Sequence, residues 1–330
     1  MKYLENYLKK EGYTTLNYFG SLGVSGGNCI TNLGQDPCFF DSSFLTILKV
    51  TGSDKQSYLN GQTSNDLLKL SVGNGQYSSL NSPKGKTISL LTIYRTEDAF
   101  YILYPRLAHE RLLEQLNLYL FTEDVILEEV SYFSSFTFPG ESSIKRISEY
   151  YGLDIPEPPR NQVFKREDQF IFVGNILNVP AVTVMSSNEN SLKIPNGFKP
   201  ICAHFLEKQR ILNLYPMPQT EYEFEKTLTP ELDQDEIISY SKGCFVGQEI
   251  FARIRTYGKT NRILCAIMFP EGSTQSLKGM EIEVNGNTRG AITSDIHDGN
   301  CTYALGYIPT AYKVIGKEVK VGSFIGKIVA

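Results

Sequence analysis

The sequence predicts an α+β fold, with two antiparallel α+β units followed by a small all-β barrel or sandwich. Three observations carry this. The first part of the chain orders its segments as strand, helix, hairpin, strand, helix, strand, which favours an antiparallel layer over a βαβ unit. The stretch 151–162 holds Gly152, Pro156, Pro158 and Pro159 and reads as an exposed connection to a second unit. After Arg262 the chain turns to short apolar runs punctuated by Gly279, Asn285-Gly286, Gly290, Gly316 and Gly326. At 330 residues the chain is long enough for two or three packing units.

The elements follow in order. Residues 1–12 read as a short helix with Leu4 and Leu8 on one face, and 29–43 as a loop. Residues 44–50 form a strand, and Gly52-Ser53-Asp54 caps a helix that begins before Ser57. Residues 76–80 and 87–94 form a hairpin across Pro83-Lys84-Gly85. Residues 99–104 continue the strands. Leu112, Leu113, Leu116 and Leu120 mark a helix over 106–120, and 125–130 returns to strand. Strands at 169–173 and 181–185 and a helix at 201–212 build the second unit. The segment 213–241, with Pro216, Pro218, Pro230 and seven acids, is expected to be irregular and solvated. Strands at 263–269, 281–284, 291–294, 301–308 and 318–321 complete the chain, with a domain boundary near 262.

Composition narrows the function classes. A hydrophobic share of 41% with 21% charged residues is that of a globular chain. A net charge of −4 argues against broad attraction to nucleic acid, and no direct nucleic-acid partner is expected. No apolar run approaches the roughly eighteen residues of a membrane span, and the first residues lack a signal-peptide pattern. No membrane association and a cytoplasmic location are therefore the expectations. Gly23–Gly27 lacks the ordered spacing of a phosphate loop. The six cysteines are widely and irregularly spaced, which argues against a disulfide scaffold. Cys202-Ala203-His204 reads as two ordinary side chains beside a helix start, and no metal site is expected.

Two constellations bear chemistry. The first is Lys242-Gly243-Cys244-Phe245-Val246-Gly247-Gln248-Glu249, which precedes a helical segment carrying Arg253. A lysine and a helix N-terminus both favour thiolate, so Cys244 is a candidate reactive thiol and Lys242 its activator. Gly243 and Gly247 allow close backbone approach or positive φ on either side of it. Glu249 and Arg253 stand four apart, acid first. The other reading of Cys244 is a small buried thiol between turn glycines. The second constellation is the polar run from Leu59 to Asp66, whose amides suit the edge of a heteroaromatic ring or, equally, a side-chain-stabilised turn.

Lys242–Glu249, followed by Ala252-Arg253, resembles the signature of the YgfZ family of folate-binding proteins, relatives of the glycine-cleavage T-protein (aminomethyltransferase). Residues 50–54, 59–66, 75–77 and 82–86 follow that superfamily's N-terminal pattern in order. Residues 290–294 and 304–308 are similar to its C-terminal barrel, and the likeness spans roughly 44–330. The resemblance implies two ferredoxin-like α+β units, intertwined within 1–262, and a β-barrel over 263–330, set as a ring around a central folate channel. It implies tetrahydrofolate or a derivative as cofactor, with Asn65 and Asp66 lining the channel. It further implies support of iron–sulfur cluster assembly or repair, and through it of enzymes such as those that methylthiolate tRNA. Cys244 would contact a transient cluster shared with a partner, and Gln248, Glu249 and Arg253 would shape the site. Iron–sulfur assembly or client proteins are the implied partners.

The chain departs from the T-protein where that enzyme does its chemistry. Thr96-Glu97-Asp98 is present, but the positions of the T-protein's preceding Asp-Asp pair fall on Ile88 and Ser89. The asparagine that ends its next strand falls on Pro105, and its Tyr-Thr-Gly-Glu motif has no counterpart in 163–190. An aliphatic side chain exchanges no proton, so aminomethyl transfer by that route is not expected. Two alternatives stand beside the accessory role. One is a folate-dependent one-carbon transferase with a different base, and the other is a folate-binding scaffold with Cys244 inert.

Overall fold

A computed structural model describes residues 2–34, 36–132, 134–188, 193–258, 260–272 and 275–330. The chain opens with helix α1 (Lys2–Lys10), strands β1 (Thr14–Tyr18), β2 (Ser21–Ser25), β3 (Cys38–Asp41) and β4 (Leu45–Thr51), and helix α2 (Lys55–Gln62). Strands β5 (Gly75–Asn81), β6 (Thr87–Arg95) and β7 (Phe100–Pro105), helix α3 (His109–Asn117) and strand β8 (Ile126–Glu129) follow. Next come β9 (Ser134–Pro139), α4 (Glu141–Tyr151), β10 (Gln162–Lys165), β11 (Gln169–Ile176), β12 (Val179–Ser186), β13 (Lys199–Pro200) and α5 (Ala203–Leu212). Helix α6 (Gln248–Tyr257) leads into β14 (Arg262–Phe269), β15 (Glu281–Val284), β16 (Asn287–Asp298), β17 (Cys301–Pro309), β18 (Glu318–Val321) and β19 (Phe324–Ile328). The fold is thus mixed α+β with a closed C-terminal barrel in the order β14-β17-β16-β15-β18-β19.

The chain divides into two compact units, one made of 1–60, 66–77 and 91–206 and the other of 61–65, 78–90 and 207–330. The first unit contains a six-stranded sheet in the order β10-β11-β12-β9-β3-β13. Its core collects Leu4 and Leu8 of α1, Ile144 and Ile147 of α4, and Phe136 and Phe138 of β9. The three-residue spacing on α4 and the alternation on β9 each present one apolar face. Gly152 closes α4 in the left-handed conformation, φ 61°. The unit also holds β7, β4 and β8, successive neighbours in a five-stranded sheet whose order is β5-β6-β7-β4-β8.

Two expectations for this unit are corrected. Residues 38–41 are a fully buried strand within the sheet, not part of a loop. One disulfide joins Cys29 to Cys202 across 173 residues, with Cα atoms 5.2 Å apart. Parallel bridging brings the two together. The Ile30 amide donates to the Pro200 carbonyl at 2.8 Å, and the Cys202 amide to that of Ile30 at 3.0 Å. Pairing that spans such a separation leaves no local spacing signal.

In the second unit, β14 is buried on both faces. Cys265, Ile267 and Phe269 fill the barrel, while Leu264 and Ala266 pack with Ile211, Tyr222 and Leu232. This corrects the expectation of a solvated 213–241, because that segment is the second layer over the barrel. Two of its acids are buried with it. Glu221 accepts from the fully buried Arg210 at 2.8 Å, from Ser294 Oγ at 2.6 Å and from the Met217 amide at 2.9 Å. Glu231 accepts from Arg262 Nη2 at 3.0 Å. Buried carboxylates persist only where such partners offset desolvation. Arg210→Met leaves Glu221 buried without its cation and is expected to lower unfolding free energy by about 3–5 kcal/mol. Arg210→Met with Glu221→Leu should recover most of that loss in urea denaturation.

Candidate functional site

The motif loop is built within the second unit, on a frame of buried polar groups. Ser64 Oγ donates to the Ile237 carbonyl at 2.6 Å and accepts from Ser79 N at 2.8 Å and Ser79 Oγ at 2.9 Å. Asn81 Nδ2 donates to Ser79 Oγ at 2.9 Å, and Thr229 Oγ1 donates to Asn81 Oδ1 at 2.6 Å. Thr87 lies 3.0 Å from Thr229 Oγ1, whose proton is already committed, so Thr87 is the donor there. All five residues are 0% exposed. Each hydroxyl or amide finds its partner in the next, which is the condition for burying such a chain.

Residues 61–65 are tied to the motif by main-chain bonds. Val246 N donates to Gly61 O at 3.0 Å and Ser239 N to Ser64 O at 3.0 Å. Lys242 completes the clamp. It is 7% exposed, and its Nζ donates to Thr63 O at 2.7 Å and Asn65 O at 2.8 Å. The ammonium also lies 5.0 Å from the centroid of the Phe245 ring. Phe245 in turn packs against Phe251 of α6 at 5.9 Å between ring centroids.

The glycines divide sharply. Gly247, before α6, has φ 86°. A Cβ there would sit 2.9 Å from Ser82 O and 3.1 Å from Gly85 Cα. Gly85 is itself at φ +68°, with a Cβ meeting Ile250 at 3.0 Å. Two glycines therefore face each other where the 82–86 turn meets the helix start. Gly243 has open space around a Cβ position and no left-handed φ. Cys244 is exposed. Gln248 is half-buried, and its amide donates to Phe245 O at 3.1 Å. Glu249 and Arg253 are exposed, and no ion pair joins them among the described residues.

Asn65 Nδ2 donates to Glu236 O at 3.3 Å, and its amide donates to Ser78 Oγ at 3.0 Å. Asp66 belongs to the first unit. It caps the turn at 67–69 by accepting from Leu68 N at 3.1 Å and pairs with Lys69 at 2.9 Å. Ser79, Asn81, Thr87 and Thr229 were not singled out from the sequence, although polar residues in a strand bounded by turns are a signal of internal bonding. Gln62, within the polar run, is 7% exposed, and its Oε1 has no hydrogen-bond partner among the described residues.

Comparison with known proteins places the chain. The GCVT N-terminal domain family matches residues 31–156. A tRNA-modifying protein YgfZ from Vibrio atlanticus is 24% identical over 258 residues, covering 76% of each chain. The chain is thus similar to YgfZ proteins and to aminomethyltransferases over most of its length. A putative chloroplastic transferase from Arabidopsis thaliana is 27% identical over 303 residues, 88% of this chain and 69% of the plant protein. An aminomethyltransferase from Listeria welshimeri is 23% identical, covering 87% and 82% of the two chains. The glycine cleavage system aminomethyltransferase T from Bartonella henselae shares the fold, with TM-score 0.81 at 18% identity over 99% of this chain and 95% of that one.

Ile88 and Ser89 lie in β6, both buried, and Ser89 Oγ donates to Leu90 O at 3.0 Å. Pro105 ends β7. Among the described residues no cluster of three or more His, Cys, Asp or Glu side chains could hold a metal ion. No described helix is long and apolar enough to cross a membrane.

Gly247→Ala should cost about 1–3 kcal/mol from positive φ and the approach to Ser82, whereas Gly243→Ala should stay within about 0.5 kcal/mol, as read by urea denaturation. Alkylation of the native protein with iodoacetamide should modify Cys244 first. Burial pushes the thiols of Cys38 and Cys265 up to about 11 and about 12, so mass spectrometry should find them unlabelled until the chain unfolds.

Proposed function

We propose that this protein is a tetrahydrofolate-binding accessory factor that supports iron–sulfur cluster assembly or repair. Through that role it sustains iron–sulfur enzymes such as those that methylthiolate tRNA. The observation that carries the reading is an exposed thiol, Cys244, on a loop fixed from beneath by buried groups. A thiol kept merely as a small core side chain would be buried with Phe245. Instead the chain buries Phe245 and Lys242 and leaves Cys244 outside. Relatives called tRNA-modifying proteins support the assignment. Lys242 acts on the thiol as a positioning residue, through the loop it holds. Gln248, Glu249 and Arg253 shape the surface beside it.

One thiolate is too few for a cluster, which usually takes four protein ligands. The cluster is therefore cargo, met transiently and shared with an assembly or client protein. The polar run supplies the folate fit. A pterin ring presents N–H donors at its edge, and Gln62 Oε1 is a buried acceptor that still needs one. Asn65, three residues on in the same run, contributes a second amide. A one-carbon transferase of T-protein type fits less well, because Ile88 offers no group that exchanges a proton.

Two measurements test the two halves separately. Calorimetry of the purified protein should detect tetrahydrofolate binding, weakened about tenfold by Gln62→Leu through loss of one hydrogen bond. Absence of binding would remove folate from the reading. In cells under oxidative stress, Cys244→Ala should reduce iron–sulfur enzyme activity while leaving folate affinity unchanged. Full activity would remove the thiol's role.

A further inference from the structure

The first unit carries a groove of ≈ 970 Å³ between α4 and the segment that follows it. Ile144, Leu153, Ile155 and Pro156 line its apolar part. Four carboxylates, Glu141, Glu149, Asp154 and Glu157, line the same groove with a single cation, Lys145. All four acids are exposed, and none is in an ion pair among the described residues. Elsewhere in the unit surface acids do find lysines, as Glu128 does with Lys49 at 2.9 Å and Asp36 with Lys199 at 3.1 Å. An apolar channel edged by uncompensated negative charge has one complementary occupant, an extended segment with basic side chains alternating with apolar ones. Prolines 156, 158 and 159 stiffen one wall, so little ordering entropy is lost there on docking.

We propose that this groove binds a short basic and apolar peptide segment of a partner protein. Basic side chains meet Glu141, Glu149, Asp154 and Glu157, and apolar ones rest on Leu153 and Ile155. The 11 residues of α4 set the length of the segment. At about 1.5 Å of rise each they span about 16 Å, which an extended chain covers in about five residues. This docking is independent of the thiol and of folate, since every residue that lines the groove lies outside the motif.

The test uses a fluorescein-labelled pentapeptide alternating arginine and leucine, titrated with the full-length protein by fluorescence anisotropy. Saturable binding is expected, weakening with added salt. The pair Glu149→Lys and Glu157→Lys should weaken it by about tenfold. Leu153→Ser should weaken it without changing its salt dependence, and circular dichroism should show both variants folded. Equal binding of an all-arginine peptide would reduce the groove to a patch of charge and overturn the proposal. Insensitivity to the charge reversals would place the peptide elsewhere, with the same consequence. A dimer of the free protein that dissociates in the charge-reversed variant would make a second copy the occupant and would also overturn it.

Discussion

A buried ammonium is the constraint on which the motif depends. Lys242 cannot leave its charge in water, because its side chain is covered, so it must find acceptors inside the protein. It finds the carbonyls of Thr63 and Asn65, which point to one place only while residues 61–65 hold their turn. That turn is held by Ser64, whose hydroxyl joins the chain running through Ser79, Asn81 and Thr229 to Thr87. The lysine of the motif is thus coupled to a hydroxyl network far from it in sequence. A change at Thr229 or Asn81 would reach the Cys244 loop without touching it. The same coupling explains the two glycines that meet at 82–86 and 247, because a frame this rigid has no slack for a side chain between the turn and α6.

Much of the fold was legible because its signals are local. Pro83-Lys84-Gly85 announces a turn between two strands, and Ser82 N does bond to Lys86 O at 2.9 Å across it. Leu112 and Leu116 bury one face of α3, as their spacing implies. Five barrel strands lie between their Gly and Asn-Gly punctuation, although β16 runs well beyond the 291–294 expected of it and β19 was left unread. Part of what was missed depends on partners distant in sequence, whereas the β1–β2 hairpin, with Tyr18 opposite Ser21, is local and was left unread. Strand β3 carries Cys38-Phe39-Phe40-Asp41, too short to read as a period and recognisable only once β9 and β13 flank it. The 213–241 segment looked solvated because its acids were counted as free. Burial followed from Arg210 and Arg262, which lie outside the acidic run. Strand β9 and helix α4 were readable in principle, from alternating Phe136 and Phe138 and the closing Gly152.

For the site, the sequence identified the octapeptide but could not rank its members. Cys244 and Lys242 stand two residues apart, yet the structure sends one out and the other in. Composition cannot make that distinction, since lysine is ordinarily the exposed residue and cysteine the buried one. Gly243 and Gly247 look alike in the motif, and only the approach of Ser82 and Gly85 separates them. The unpaired acceptor of Gln62 was hidden inside a run of amides. An orphaned acceptor becomes visible only when its neighbours have been assigned their bonds.

Ile88 shows what burial in β6 permits at one position. β6 buries Ile88 almost completely, at 3% exposure. An aspartate there would be a nearly covered carboxylate, where desolvation favours its neutral form and costs stability if it ionises. Ser89 beside it is also fully covered, and its hydroxyl is spent on the carbonyl of Leu90. A charged side chain at this place in β6 would therefore need new hydrogen-bonding partners around it, not one substitution. The 0% exposed network that anchors the thiol loop reaches β6 itself, because Thr87, its first residue, bonds to Thr229, so β6 carries part of the loop's anchor one residue from Ile88.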